Sequence, residues 1–289
     1  MAATLIKGSE ISKQIKEEIK NEVAKLKEKY NLNPGLATIL VGEDEASKVY
    51  VGAKEKACKE LGIYSERIDL PANTTEADIL TLIDKLNKES KIHGILIQLP
   101  LPKHINETNV LNAVDPKKDV DGFHPVNVGK MVLGEPAFLP CTPHGILELL
   151  KKSNVETGGA EVVVVGRSNI VGKPIANMLL QKKKGGNATV TICHTGTKDL
   201  ASHTRRADIL IVAVGKPKTV TADMVKEGVV VIDVGANRLE TGLVGDVDFE
   251  AVKEKARAIT PVPGGVGPMT ITMLMYNTVQ AAKTQAGIA

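Results

Sequence analysis

Tyr50 and Lys54 stand four residues apart in a stretch with helical periodicity, so the two side chains share one face. For Lys54 to do acid–base work its amine must titrate below the free value of about 10.4, which requires burial or a neighbouring cation. Most helical lysines are solvated, and taken alone Lys54 reads that way. Gln98 argues for the other reading. It ends the apolar run Gly94-Ile95-Leu96-Ile97-Gln98-Leu99-Pro100. A strand of a parallel sheet presents its carboxyl end to ligands, and an amide there suits a site better than a core.

A second group of residues suits a phosphate. The β-branched run from Glu161 to Val165 leads directly into Gly166-Arg167-Ser168-Asn169-Ile170-Val171-Gly172-Lys173-Pro174. Gly166 at the strand end and Gly172 at the helix opening would let backbone N–H groups approach a pyrophosphate. The spacing is not GxGxxG, and a tight β–α turn that needs small residues is the plainer alternative. The next strand runs into Cys193-His194-Thr195-Gly196-Thr197 and lacks an acid. NAD sites carry an Asp or Glu there, about 20 residues on, for the ribose 2′-hydroxyl. With Arg167 in the loop, a 2′-phosphate fits better, so NADP is the expected cofactor. His194 by itself reads as a packed or hydrogen-bonded histidine.

Asp121 lies in Lys117-Lys118-Asp119-Val120-Asp121-Gly122. Two acids at i and i+2 beside a glycine suit a cation site or, more commonly, an Asx-turn. No other carboxylate cluster completes a metal shell, so no metal is expected. The segment Pro261-Val262-Pro263-Gly264-Gly265-Val266-Gly267-Pro268 is too stiff and glycine-rich for a mere linker, a rigid hinge being the alternative. It offers backbone groups ahead of a helix. HExxH and G-x-S-x-G patterns are absent, which excludes zincin and α/β-hydrolase readings.

The elements that must position these residues follow from periodicity. Ile11, Ile15, Ile19, Val23 and Leu26 mark a first helix. Strands are predicted over 36–41, 63–69 and 92–98, with helices over 45–61 and from Thr75, a capping residue, to about Asn87. This β-α-β-α-β order predicts a parallel sheet. From Asn106 to Pro143 prolines and glycines crowd the chain, as in functional or inter-domain loops. A helix over 144–152 leads to a second unit with strands at 161–165, 188–193, 208–214 and 229–233. A helix after Gly172 runs to about Lys182, and Lys182-Lys183-Lys184 reads as its solvated end. The last helix is expected over 270–282.

The 289 residues suit about two domains at roughly 150 residues each. With 43% hydrophobic residues the chain has material for a core, necessarily aliphatic, since it holds three Phe, four Tyr and no Trp. A net charge of +3 and 2% aromatics argue against a nucleic-acid partner. Cys58, Cys141 and Cys193 form no CxxC pair and suggest neither a disulfide framework nor zinc, which fits a reducing compartment. The N-terminus lacks a signal-peptide core and no apolar run approaches the ~20 residues of a membrane span, so the expectation is a cytoplasmic protein without a membrane partner.

In family order, Tyr50-x-x-x-Lys54, Ile97-Gln98-Leu99-Pro100-Leu101-Pro102, Lys118-Asp119-Val120-Asp121-Gly122, Pro140-Cys141-Thr142-Pro143, Gly166-Arg167-Ser168 to Val171-Gly172-Lys173-Pro174, and Pro263-Gly264-Gly265-Val266-Gly267-Pro268-Met269-Thr270 span nearly the whole chain. With these motifs the sequence resembles the bifunctional methylenetetrahydrofolate dehydrogenase/cyclohydrolases. Glu89 departs slightly, where that family tends to have Asp or Asn.

The resemblance implies an α/β fold of two domains: a folate-binding catalytic domain of residues 1–142 plus 269–289, and a Rossmann-like NADP-binding domain of residues 143–268. The C-terminal helix would return to the first domain, with folate and nicotinamide in the cleft between the two. It implies NADP-dependent oxidation of 5,10-methylenetetrahydrofolate to the methenyl cation, then hydrolysis to 10-formyltetrahydrofolate, in one-carbon metabolism and purine biosynthesis. Lys54 would handle protons, Gln98 would tune it, Tyr50 would pack along the folate and Asp121 would bind the pterin edge. Leu99, Gly264, Gly265 and Pro268 would border the folate. Gly166, Arg167, Ser168, Val171, Gly172 and Thr195 would hold NADP. A homodimer formed through the second domain is also implied. Two rivals are a different NADP dehydrogenase sharing only the second unit, which leaves Tyr50, Lys54 and Gln98 unexplained, and a non-catalytic nucleotide-binding protein.

Overall fold

A computed structural model describes residues 3–240 and 242–288. In chain order its elements are β1 (Thr4–Leu5), α1 (Gly8–Tyr30), β2 (Gly35–Val41), α2 (Glu45–Leu61), β3 (Tyr64–Leu70), α3 (Glu76–Lys88), β4 (Gly94–Ile97), α4 (Glu107–Ala113), α5 (Pro125–Leu133), α6 (Cys141–Lys152), β5 (Glu161–Val165), α7 (Gly172–Leu180), β6 (Thr189–Cys193), α8 (Leu200–Thr204), β7 (Ile209–Val212), β8 (Val230–Asp233), β9 (Asn237–Leu239), β10 (Gly242–Val244), α9 (Phe249–Lys253), β11 (Ala258–Ile259) and α10 (Val266–Gln285). The chain divides into two units. The first holds Gln14–Cys141 with the residues from Ile271 onward; the second holds the residues up to Lys13 with Thr142–Thr270.

In the first unit β3, β2 and β4 lie side by side in that order, all parallel. β2 and β4 are buried along their whole length, as their aliphatic runs require. The helices start where their caps allow. Asp44 accepts the N–H of Ser47 at 2.7 Å and opens α2, and Gly62, at φ +75°, ends it in the left-handed conformation. Thr75 accepts the N–H of Asp78 at 3.2 Å and opens α3. Ile79 and Ile83 of α3 pack with Ile39, Ile95 and Ile97 of the sheet. Because β2 is central, the chain leaves it to one side for β3 and crosses to the other for β4. The carboxyl ends of β2 and β4 therefore meet at a switch point, the usual place for a ligand crevice. Gln98 is the first residue beyond β4, and its backbone N–H donates to Ile39 O at 2.9 Å.

The Lys118 side chain is buried beneath this unit's helix α3. Its Nζ donates to Leu86 O at 2.9 Å and to Glu89 O at 2.8 Å, two carbonyls at the helix end that also accept the N–H groups of Glu89 at 3.3 Å and Ile92 at 3.2 Å. Lys118→Met removes both charge-assisted bonds and leaves each carbonyl with its backbone donor alone. A hydrogen bond to a charged group contributes about 1.5–3 kcal/mol, and a domain of this size loses about 2–4 °C per kcal/mol. The thermal midpoint should fall by several degrees while the KM values stay as in the wild type; an unmoved midpoint would refute the capping role.

The second unit is built on a six-stranded, wholly parallel sheet of order β1-β11-β8-β7-β5-β6. β7 and β8 are fully buried, and β5 is buried beyond Glu161. From β5 the chain steps outward to β6, then crosses back to β7 on the other flank of β5, so the switch point lies between β5 and β7. A two-stranded antiparallel ribbon, β9 with β10, stands apart from the sheet.

Four expectations are corrected. The first residues do not join the first unit, because Thr4 and Leu5 pair in parallel with Ala258 and Ile259, and Ser9 N–H donates to Gly264 O at 3.0 Å. α6 opens at Cys141, not residue 144. α7 ends at Leu180, where Gln181 turns to an extended conformation (ψ 142°), so Lys182–Lys184 lie in the following turn and not on a helix. α10 opens at Val266, so Pro268 lies within its first turn, where a missing N–H costs nothing. Among the described residues no helix is long and apolar enough to cross a membrane.

Candidate active site

In the first unit the structure brings Lys54, Gln98 and Asp121 together. Lys54 is on α2 and its Nζ donates to Gln98 Oε1 at 2.9 Å. The Gln98 amide cannot turn away, since its Nε2 donates to Leu99 O at 2.7 Å. Burial pulls the Lys54 amine below its ordinary range, against the opposing pull of Asp121 and Cys141. Asp121 is pushed up to about 6, chiefly by burial and also by the charge of Asp119, while Lys54 and the Cys141 thiol draw it back. Burial also drives the Cys141 thiol well above its usual value. A lysine pulled down and a carboxyl pushed up thus share one half-buried group. Such opposed shifts mark groups placed for proton traffic.

Several elements hold the group. Gly122, at φ +74°, lets the chain turn sharply after Asp121; a Cβ there would lie 2.6 Å from Leu139 C and Pro140 N. Asn277 of α10 is buried, and its Nδ2 donates to Val120 O at 2.8 Å and Leu139 O at 3.0 Å. The Cys141 Sγ donates to Val120 O at 3.3 Å. Asp119 takes the structural share of the acidic pair: it accepts the N–H groups of Phe123 and His124 and the Asn127 amide. That is the Asx-type role rather than a cation site, and among the described residues no three His, Cys, Asp or Glu cluster for a metal. Tyr50 lies one turn before Lys54 on α2, 48% exposed beside the exposed Val49, so it is open to a ligand.

The second unit carries the phosphate-type loop at its switch point. Gly166, at φ +131°, packs so that a Cβ would strike Ala213 O beyond β7. A Cβ on Gly172 would strike Gly166 O and lie 2.6 Å from Gly166 C. The Ser168 hydroxyl accepts the N–H of Val171 at 3.1 Å and of Gly172 at 3.4 Å. Val171, the residue before α7, makes no side-chain cap of its own; Ser168 caps the helix start instead, its carbonyl accepting the N–H of Lys173 at 3.1 Å. Arg167 and Ser168 are exposed, as is Thr195 in the turn after β6. That turn is shaped by His194, whose Nδ1 accepts Gly196 N–H at 3.1 Å, and by Thr197, whose hydroxyl accepts His194 N–H at 2.8 Å.

Gly264, Gly265 and Pro268 belong to the second unit and not to the unit of Lys54. Part of their glycine requirement is packing: a Cβ on Gly265 would lie 2.5 Å from Pro261 O. Gly264 sits at φ +100°. Sequence reasoning missed Asn277 altogether, and no local pattern marks it. It left Asp119 between a cation site and an Asx-turn, and it gave Cys141 no part in the site.

Comparison with known proteins places the chain by its two domains. Residues 6–121 match the model of the tetrahydrofolate dehydrogenase/cyclohydrolase catalytic domain, and residues 140–286 that of the NAD(P)-binding domain of the same family. The bifunctional protein FolD of Syntrophus aciditrophicus (strain SB) is 63% identical over 294 residues, with 100% of each chain covered. The crystal structure of the bifunctional enzyme FolD-methylenetetrahydrofolate dehydrogenase/cyclohydrolase from Campylobacter jejuni superposes with a TM-score of 0.95 at 52% identity, covering 98% of this chain and 100% of that one. The Trypanosoma brucei N5,N10-methylenetetrahydrofolate dehydrogenase-cyclohydrolase, complexed with NADP cofactor and inhibitor, gives 0.94 at 39% identity and 99% coverage of both chains. On these matches, which run the length of both units, the chain belongs to the tetrahydrofolate dehydrogenase/cyclohydrolase family.

Proposed function

We propose that Lys54, steadied by Gln98 and flanked by Asp121, performs the proton transfers of a two-step folate enzyme. The enzyme oxidises 5,10-methylenetetrahydrofolate to the 5,10-methenyl cation with NADP, then hydrolyses that cation to 10-formyltetrahydrofolate. The observation that carries the assignment is the bond from Lys54 Nζ to Gln98 Oε1 in a setting that lowers the lysine. In its neutral form the amine keeps an N–H for Gln98 and a lone pair for a proton. Water adding to the methenyl carbon gives its proton to that lone pair. That proton then passes to the folate nitrogen as the ring C–N bond opens, while the hydroxyl of the adduct releases its own proton to solvent and becomes the carbonyl of the formyl group left on the other nitrogen. Oxidation leaves a cation spread over two nitrogens, so that step needs positioning more than a base. Tyr50, Leu99 and Asp121 are assigned to hold the folate, and Gly264, Gly265 and Pro268 to border it.

The second unit's residues fit NADP. The two glycines fold the loop into a tight cradle in which a Cβ on either would strike backbone, Ser168 caps the start of α7, no acid directly follows β6, and Arg167 is exposed. Gly166, Ser168, Val171, Gly172 and Thr195 would hold the phosphates, with Arg167 suited to the 2′-phosphate. When bound, NADP supplies the hydride acceptor. A cytoplasmic homodimer joined through this unit, serving purine biosynthesis, is part of the same reading. Its support is the sheet's edge strand β6, which exposes Ile192, and three free, buried cysteines.

The test is to mix protein, methylenetetrahydrofolate and NADP⁺ and to follow NADPH, methenyltetrahydrofolate and 10-formyltetrahydrofolate separately. NADPH should form with little methenyl accumulation. No NADPH with either NADP⁺ or NAD⁺ would remove the enzyme assignment.

The pH dependence gives a sharper check. Hydrolysis requires neutral Lys54, so its rate rises with pH through the lysine's pKa. The Asp121 charge raises that pKa. In Asp121→Asn the lysine's pKa must fall, and the acid limb of the hydrolysis profile should move to lower pH, whatever happens to the maximal rate. A limb that stays put or moves upward would break the Lys54–Asp121 coupling.

A further inference from the structure

Two buried carboxylates of the second unit have no part in the chemistry above. Asp233, the last residue of β8, and Asp246, just beyond β10, are 2% and 0% exposed. Asp233 Oδ1 accepts the N–H groups of Gly235 and Asp246, both at 2.9 Å, and its Oδ2 accepts Val247 N–H at 3.0 Å. Asp246 reaches a different segment. Its Oδ2 accepts the successive N–H groups of Val214 at 2.7 Å and Gly215 at 2.9 Å, and its Oδ1 accepts Asn237 Nδ2 at 2.8 Å. Two glycines let the acids pack this closely. A Cβ on Gly235 would lie 2.5 Å from Asp246 Cγ, and one on Gly245 would lie 2.5 Å from Asp233 Cγ.

Val214 and Gly215 follow β7, the neighbour of β5. The residue before them, Ala213, carries the carbonyl that a Cβ on Gly166 would strike. The 213–215 segment and the Gly166 loop therefore pack side by side at the carboxyl ends of adjacent strands, the switch point at which a nucleotide gap is expected. Val214 is 37% exposed and Gly215, at φ +70°, is exposed as well. Two successive N–H groups aimed at one point form a nest for an anion. Here the protein's own carboxylate fills the nest, so these N–H groups are not open to a phosphate, and the bonds dictate where the segment lies.

We propose that Asp246 is a positioning residue for NADP: its carboxylate pins the Val214–Gly215 segment as one wall of the nucleotide gap. This inference rests on the nucleotide reading given above. Asp246→Asn, in the full chain, offers one acceptor oxygen to three donors and sets an amide NH₂ against one of them. The KM for NADP⁺ should rise about tenfold, with kcat at saturating nucleotide within about twofold of the wild type. Hydrolysis of supplied methenyltetrahydrofolate, which uses no nucleotide, should be unchanged. A folded Asp246→Asn with a wild-type KM for NADP⁺ overturns the proposal, and so does a parallel loss of hydrolysis, which would mark a merely structural role. Asn237→Ala, which removes one donor and leaves the Val214 and Gly215 bonds, decides the matter if Asp246→Asn does not fold. Its KM should rise about two- to fourfold, and no rise overturns the proposal. Wild-type turnover with NADP⁺ in the same assay separates the two levels, since its absence would instead remove the nucleotide reading.

Discussion

Lys54→Met should lose methenyltetrahydrofolate hydrolysis by a factor of about 10²–10⁴, the usual worth of a positioned acid–base group, while keeping a measurable dehydrogenase. Methionine fills nearly the same space but has no lone pair to take a proton from water. Gln98 Oε1 loses the donor that now sits at 2.9 Å. Because Gln98 is only half-buried, water can replace that donor, so folding should suffer little. Asp121 feels the change too. Lys54 is the charge that draws its carboxyl down, so Asp121 will titrate above its present value of about 6. The oxidation step survives because the cation it produces is delocalised and needs orientation more than a base. In a coupled assay the variant should therefore release methenyltetrahydrofolate together with NADPH. Hydrolysis within tenfold of the wild-type rate would sink the assignment of Lys54.

Gly172→Val should do the reverse. The first atom of any side chain at position 172 lands on Gly166 O, and lies 2.6 Å from Gly166 C and 2.9 Å from Arg167 N. All three are backbone atoms of the loop assigned to the pyrophosphate, so relief requires the loop and the start of α7 to part. The expected result is a rise in the KM for NADP⁺ of about 100-fold or more, equivalent to about 2.7 kcal/mol of lost binding at 1.36 kcal/mol per decade. Stability of the second unit should drop by about 1–3 kcal/mol from the strain. Hydrolysis of supplied methenyltetrahydrofolate should persist, since Lys54, Gln98 and Asp121 all belong to the first unit. An NADPH fluorescence titration that matches the wild type would refute the cradle. Taken together, the two variants separate the activities in opposite directions, which no general destabilisation would do.

How far the site was legible depended on the range of the interactions involved. The Thr75 cap and the aliphatic periodicity of α1 are local, so helix starts and buried strands could be read directly. The Gly166 loop was legible for the same reason: strand, turn and helix are consecutive in the chain. The short elements were missed because their patterns are too brief to rise above loop composition. β1 and β11 have two residues each, the β9–β10 ribbon three per strand, and α4 and α5 lie in a stretch crowded with prolines and glycines. The two-residue β1 nevertheless decides which unit the first residues join, through its pairing with β11.

By itself the sequence determined the residue types assigned to the chemistry: an amine and a phenol on one helical face, an amide ending a buried strand, and glycines where the chain turns tightly from strand to helix. It also determined the alternation of strands and helices that makes both sheets parallel. Only the tertiary structure decided that Gln98 Oε1 faces the Lys54 amine, that Asp121 lies beside Cys141, that Asn277 ties this corner together from a helix 136 residues beyond Cys141, and that Asp246 reaches back 32 residues to hold Val214. Those contacts depend on which strands lie side by side and on where the last helix packs. Strand order and helix docking are set by burial summed over the whole chain, and no local stretch of side chains encodes that sum.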